Sequence, residues 1–170
     1  DYARMRVDKA KRAVPLETLR QEAYALPKGD FAFEKALKKQ GISFICECKR
    51  ASPSKGLIAP DFPYLEIAKA YEAAGADCIS VLTEPKWFLG EGRYLRQIAQ
   101  EISLPCLRKD FIVHPYMIYE AKTLGADAVL LICSINSQKT LKHSIEICDE
   151  LGLSALVEAH DPKEIELALE

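Results

Sequence analysis

From residue 44 onward the chain alternates between two rhythms of apolar and polar positions. Short β-rich apolar runs occupy 44–48, 78–83, 105–109, 128–133 and 154–158. Between them lie stretches with apolar residues at helical spacing, 64–74, 94–101, 115–124 and 138–151, and a last helix is predicted from about 161 to the end. Runs this short and this apolar read as strands buried on both faces, with the helical stretches as their covers. One unit echoes another. Ala74-Gly75-Ala76-Asp77-Cys78-Ile79-Ser80-Val81-Leu82 resembles Leu124-Gly125-Ala126-Asp127-Ala128-Val129-Leu130-Leu131-Ile132. In each, a glycine ends a helix and an apolar strand follows at once. Repeated strand–helix units predict parallel strands joined by right-handed crossovers.

Residues 1–41 have no strand-like run and read as helices. Pro15 is a good first-turn residue for a helix over 16–23. Asp30 is the predicted N-cap of a helix over 31–37, which Gly41 stops. Residues 8–12, with Lys9, Lys11 and Arg12, read as a solvated helix face. The change of rhythm divides the chain into a helical N-terminal extension, 1–41, and an α/β unit, 42–170.

Two parallel architectures compete for the α/β unit. A doubly wound sheet normally carries a glycine-rich phosphate turn after its first strand. Here Arg50-Ala51-Ser52-Pro53-Ser54-Lys55-Gly56 stands in that place and lacks the fingerprint. A (β/α)8 TIM barrel instead gathers functional side chains at the C-terminal ends of several strands. Glu47, Lys49, Lys109 and Glu158 occupy such ends. The expected fold class is therefore α/β, a (β/α)8 barrel with a helical N-terminal extension, of which about the first five strands are present.

Composition narrows the partners. With 23 basic and 25 acidic residues and 49% hydrophobic content, the 170 residues suit one globular core and give no reason to expect nucleic acid. No apolar run approaches the ~20 residues that span a bilayer, and the first residues lack a signal-peptide apolar region. The chain does not begin with Met, so the natural N-terminus is expected upstream. None of the six cysteines forms a C-x-x-C pair. Most fall in apolar runs and read as buried reduced thiols rather than disulfides or zinc ligands, which implies a reducing compartment, the cytoplasm.

The candidate chemistry begins in the stretch 44–56. On a strand, Glu47 and Lys49 share one face while Cys46 and Cys48 take the other. With Lys109 taken as inward, the same parity puts Leu107 inside and leaves Cys106 and Arg108 to face the helix layer. Glu158 shares its face with Leu156 and Ser154. One charge at a strand end is ordinarily part of a structural ion pair. Two carboxylates and two ammonium groups at equivalent strand ends read as a site. A lysine serves as proton donor when desolvation or a cation tunes it, a glutamate as acceptor, and a second lysine as a point charge for an anion. Lysine also forms Schiff bases, so an aldolase-like role for Lys109 or Lys49 is a rival. Spacing alone does not separate these.

The stretches Glu47-Cys48-Lys49-Arg50-Ala51-Ser52-Pro53-Ser54-Lys55-Gly56, Leu107-Arg108-Lys109-Asp110-Phe111 and Ala155-Leu156-Val157-Glu158-Ala159-His160 together resemble the indole-3-glycerol-phosphate synthase family. Thr83-Glu84-Pro85-Lys86-Trp87-Phe88-Leu89-Gly90 is similar to the loop after that family's second strand. The likeness runs from about Leu16 onward. It implies a tryptophan-pathway lyase that converts 1-(2-carboxyphenylamino)-1-deoxyribulose 5-phosphate into indole-3-glycerol phosphate, carbon dioxide and water without metal or organic cofactor. It implies Lys109 as general acid, Glu158 as general base in the dehydration, Lys49 as the holder of the anthranilate carboxylate, and Glu47 as its polar neighbour. Ser52, Ser80, Phe88, Phe111 and Leu130 fall where the family lines its anthranilate pocket.

Two departures stand against that pattern. Glu91 takes the place of the usual serine after Gly90. The chain also stops at Glu170, before the family's sixth to eighth strands, so the phosphate site and one catalytic carboxylate are expected to be missing and the chain alone to be inactive. A non-catalytic half-barrel, phosphoribosylanthranilate isomerase or an aldolase are the other readings. Strands 44–48 and 154–158 should form open edges that favour self-association. Of the histidines, His114 reads as a cap or surface residue, His143 as solvated, and His160 as a neighbour of the site.

Overall fold

A computed structural model describes residues 1–169. Three helices come first, α1 (Tyr2–Ala13), α2 (Leu16–Ala25) and α3 (Ala32–Leu37). Strand β1 (Ile45–Cys48) leads into a small hairpin, β2 (Ala51–Ser52) and β3 (Gly56–Leu57). Then follow α4 (Tyr64–Ala73), β4 (Cys78–Leu82), α5 (Gly92–Glu101), β5 (Cys106–Lys109) and α6 (Pro115–Thr123). The chain continues with β6 (Ala128–Ile132), a 3-10 turn (Cys133–Ile135), α7 (Gln138–Leu151), β7 (Ser154–Glu158) and α8 (Pro162–Leu169).

The five long strands form one parallel sheet in the order β1-β4-β5-β6-β7. Sequential order in a parallel sheet is what a (β/α)8 barrel uses, and a doubly wound sheet does not. These are five strands of such a barrel. Central β4 and β6 are buried at every position, because helices cover one face and the barrel interior the other. The outer face packs Ile79, Val81, Val129 and Leu131 against Leu95, Ile98, Met117 and Ile118 of the helices. The inner face is a smaller cluster of Cys78, Leu107, Ala128, Leu130 and Ile132, closed at the strands' N-terminal end by Phe33 of α3. Glu34 donates its backbone N–H to Ser154 Oγ at 3.2 Å, which ties α3 to that end. The predicted outer strands are the edges, β1 and β7.

Several local expectations differ from the structure. Asp30 does not cap α3. Phe31 holds the N-cap position with a left-handed φ of 60°, and Asp30 pairs with Lys35 at 2.9 Å instead. The cause is upstream: Gly29 and Phe31 donate backbone N–H groups to Leu151 and Gly152 carbonyls, and this pins the chain before α3 can start. Pro15 precedes the first turn of α2 rather than occupying it. The loop after β1 contains the β2–β3 hairpin, and Cys133 has left its strand for the 3-10 turn. Within the solvated face of α1, Lys11 turns inward to His114 Nε2 at 3.0 Å.

Candidate active site at the strand ends

Lys109 ends β5 and Glu158 ends β7, and both side chains reach the inner face at its C-terminal rim. Lys109 Nζ lies 3.5 Å from Glu158 Oε2. Glu158 is level with Ile132 in the sheet, whereas Lys109 pairs with Leu82. Both line a cavity of about 190 Å³. Its apolar walls are Leu82, Phe88, Phe111, Leu130 and Ile132, with Glu84 and Asp110 also bordering it. Phe88 and Phe111 stand tilted, ring centroids 6.3 Å apart. An apolar cavity bordered by an ammonium and a carboxylate is equipped to hold an aromatic ring and move protons at its edge.

The other predicted residues form a separate group. Glu47 accepts from Lys49 Nζ at 2.7 Å and from Ser80 Oγ at 3.1 Å. The register explains this, since Glu47 lies beside Ser80 and Ser80 beside Leu107. None of the three lines the cavity. Ser52 sits in the hairpin, where its Oγ approaches Ser54 Oγ at 3.4 Å and accepts from Lys55 N–H at 3.2 Å. So Lys109, Glu158, Phe88, Phe111 and Leu130 share one cavity, Glu47, Lys49 and Ser80 a neighbouring polar cluster, and Ser52 belongs to the adjoining loop. His160 Nε2 lies 3.5 Å from Glu158 Oε1 while the ring stays two-thirds exposed. His114 caps α6, its Nδ1 accepting from Tyr116 N–H at 3.0 Å, and His143 is exposed beside Glu146. Glu91 accepts from Arg93 and from Tyr94 Oη at 2.8 Å, so it anchors to its own helix.

Beneath the cavity lies a buried ionic layer that the sequence reading passed over. Asp110 follows Lys109, and its side chain is wholly buried. Arg6 of α1 grips both carboxylate oxygens at 2.8 and 2.9 Å. Thr83 Oγ1 and Phe111 N–H add bonds of 2.7 and 2.8 Å, and Arg108 Nη2 stands at 3.3 Å. Burial alone would raise the pKa of this carboxyl. Arg6, Arg108 and the Thr83 hydroxyl outweigh it and hold the group at about 2. Arg108 faces the helix layer, as parity requires, and donates to Met117 O at 2.8 Å while pairing with Glu120 at 2.6 Å. Parity would also have added Leu82 and Ile132 to the pocket wall, two positions beyond Ser80 and Leu130. No local signal marks Arg6, which meets Asp110 across 104 residues.

Burial, the leading cause, pushes Cys48, Cys106 and Cys148 up to about 12 and Cys78 to about 11. All six cysteines are free. Among the described residues no group of three or more His, Cys, Asp or Glu side chains is placed to hold a metal ion. Among them, too, no helix is long and apolar enough to cross a membrane.

A family model for indole-3-glycerol phosphate synthase matches residues 1–170. The indole-3-glycerol phosphate synthase of Ruminiclostridium cellulolyticum is 55% identical over 168 residues, covering 98% of this chain and 65% of the relative. That of Endomicrobium trichonymphae is 54% identical over 167 residues, with the same two coverages. The chain thus spans just under two thirds of the length of these relatives. A solved L-talarate dehydratase from Polaromonas superposes with a TM-score of 0.51 at 9% identity, over 77% of this chain and 32% of that one, a likeness of fold alone. With the family model covering every residue and half of all positions identical to its members, the chain belongs to the indole-3-glycerol phosphate synthase family.

Proposed function

We propose that this chain supplies the aromatic-acid half of an indole-3-glycerol-phosphate synthase active site. The observation that carries the reading is the Lys109–Glu158 pair, 3.5 Å apart at the border of the apolar cavity. The substrate is 1-(2-carboxyphenylamino)-1-deoxyribulose 5-phosphate, and its anthranilate ring lies between Phe88, Phe111 and Leu130. Lys109 protonates the ketose carbonyl oxygen as the ring carbon bearing the carboxylate attacks the carbonyl carbon. That step forms the new carbon–carbon bond and leaves a hydroxyl. The carboxylate departs as carbon dioxide, and its bonding electrons restore the ring. Glu158 then takes a proton from the ring carbon beside the nitrogen, the C–O bond breaks, and the hydroxyl leaves as water with a proton drawn from solvent, which completes the indole. Lys49, oriented by Glu47, holds the carboxylate before it departs, and Ser80 keeps Glu47 in place. Ser52 brings the hairpin to the rim. The acid and base need no cofactor for this sequence, and its place is tryptophan biosynthesis in the cytoplasm, a compartment the six free thiols favour.

The strands that bind the phosphate belong to the part of the relatives' length beyond this chain. On this reading the chain alone turns over no substrate, and its edge strands β1 and β7 pair with a second copy. In the complete synthase, Lys109→Met abolishes turnover while substrate still quenches protein fluorescence. Wild-type rates from that variant would remove Lys109 from its role. Borohydride trapping of a covalent substrate adduct on Lys109 would favour the aldolase reading instead.

A further inference from the structure

Glu84 is a fully buried carboxylate that the proposed chemistry does not use. It lies two residues past the end of β4, on the border of the cavity. Among the described residues no basic side chain reaches it within bonding distance; backbone groups do. Lys86 N–H donates to Oε1 at 3.0 Å, and Trp87 and Phe88 N–H donate to Oε2 at 2.7 and 3.2 Å. Three N–H groups on one carboxylate offset the cost of burying its charge. They also dictate the path of the loop. Gly90 N–H returns to Glu84 O at 2.8 Å, and a Cβ on Gly90 would lie 2.3 Å from Leu82 O, so the loop is wound hard against the strand it left. Leu89 holds a left-handed φ of 51° although it is substantially exposed, so core packing does not explain the strain. Strain of this kind persists where surrounding bonds over-determine the backbone, and here they converge on Glu84. The residue next to Leu89 is Phe88, a wall of the cavity.

We propose that Glu84 is a positioning residue that sets substrate affinity by fixing Phe88 against the cavity, with no part in proton transfer. The inference rests on the site reading given above. Its test has two arms. In this chain, Glu84→Gln should speed amide hydrogen exchange at Trp87 by roughly tenfold or more, since one neutral acceptor replaces a charged pair, while exchange in β5 and β6 is unchanged. In the complete synthase the same variant should raise KM roughly tenfold with kcat within about twofold of wild type. Glu84→Asp, which keeps the charge, should recover part of the affinity. In a Phe88→Ala background Glu84→Gln should add nothing to KM, because both act through one ring. An unchanged Trp87 exchange rate overturns the proposal, as does a fall in kcat at constant KM, or additive effects with Phe88→Ala. Should Glu84→Gln fail to fold, the Glu84→Asp and Phe88→Ala pair gives the same cycle. A wild-type synthase without turnover would sink the functional reading while leaving the exchange arm to judge Glu84.

Discussion

Arg6→Met asks how much the buried ionic layer contributes. The methionine retains the apolar stem and removes both guanidinium bonds to Asp110. Asp110 is held at about 2, against an ordinary 3.8, so its surroundings favour the ionised form by roughly 2–3 kcal/mol. Arg6 is the nearer of the two cations, at 2.8 Å against 3.3 Å for Arg108, and its side chain is only 21% exposed. Losing it also leaves a buried carboxylate short of donors, so the expected cost is about 2–3 kcal/mol, at or below the low end for breaking a buried pair. At this chain length that is a fall in Tm of roughly 4–12 °C. The sign with pH follows from the depressed value. Asp110 contributes fully above its unfolded pKa, and the contribution is lost as pH falls through about 2. The gap between wild type and variant should therefore be flat from about pH 5 to 8 and narrow only in strong acid. Calorimetry or urea titration at two pH values measures it. An unchanged Tm at neutral pH, or a gap that widens in acid, would refute the reasoning. Asp110→Asn with Arg6→Met closes a cycle whose coupling should be about 2 kcal/mol.

His114 is held below its ordinary value by burial first and then by Lys11 and Arg4, with Asp8 opposing. Its stabilising effect is full above the unfolded value near 6.5 and lost as pH falls through the lower folded one, so His114→Asn, which still caps α6, should flatten the stability profile between about pH 7 and 5. Gly152→Ala should cost about 3 kcal/mol or more in urea titration, because φ is +69° and the new Cβ would meet Gly29 O at 2.0 Å. An aromatic disulfide reagent near pH 8 should label the half-buried Cys46 quickly and the five buried thiols only on unfolding, counted by mass.

The strands were legible because parallel strands covered on both sides carry unbroken apolar runs, and that signal survives without tertiary information. Parity did further work. From an inward Lys109 it put Leu107 on the inner face and Arg108 outward, where the structure has both. The same rule, not carried to the ends of β4 and β6, missed Leu82 and Ile132 as pocket walls. Asp30 misled because capping propensity is local, while the backbone there is set by Gly152, far along the chain. The division of the candidate residues into a cavity and a polar cluster was not legible either, since strand ends say which residues meet the mouth and not how deep each reaches. Glu84 lay inside a quoted motif, but a carboxylate that bonds only to backbone leaves no charge partner in the sequence to find.

The N-terminal helices fasten to residues far downstream. Arg6 reaches Asp110 across 104 positions, Glu34 reaches Ser154 across 120, and Tyr24 reaches Glu150 across 126. On a ribosome this means that these helices emerge well before the residues that seat them. Until β5, α7 and β7 have been made, the segment can only wait as loose amphipathic helix. Contacts of such long separation slow folding, and they leave this helical segment exposed to proteases until its downstream partners have been made.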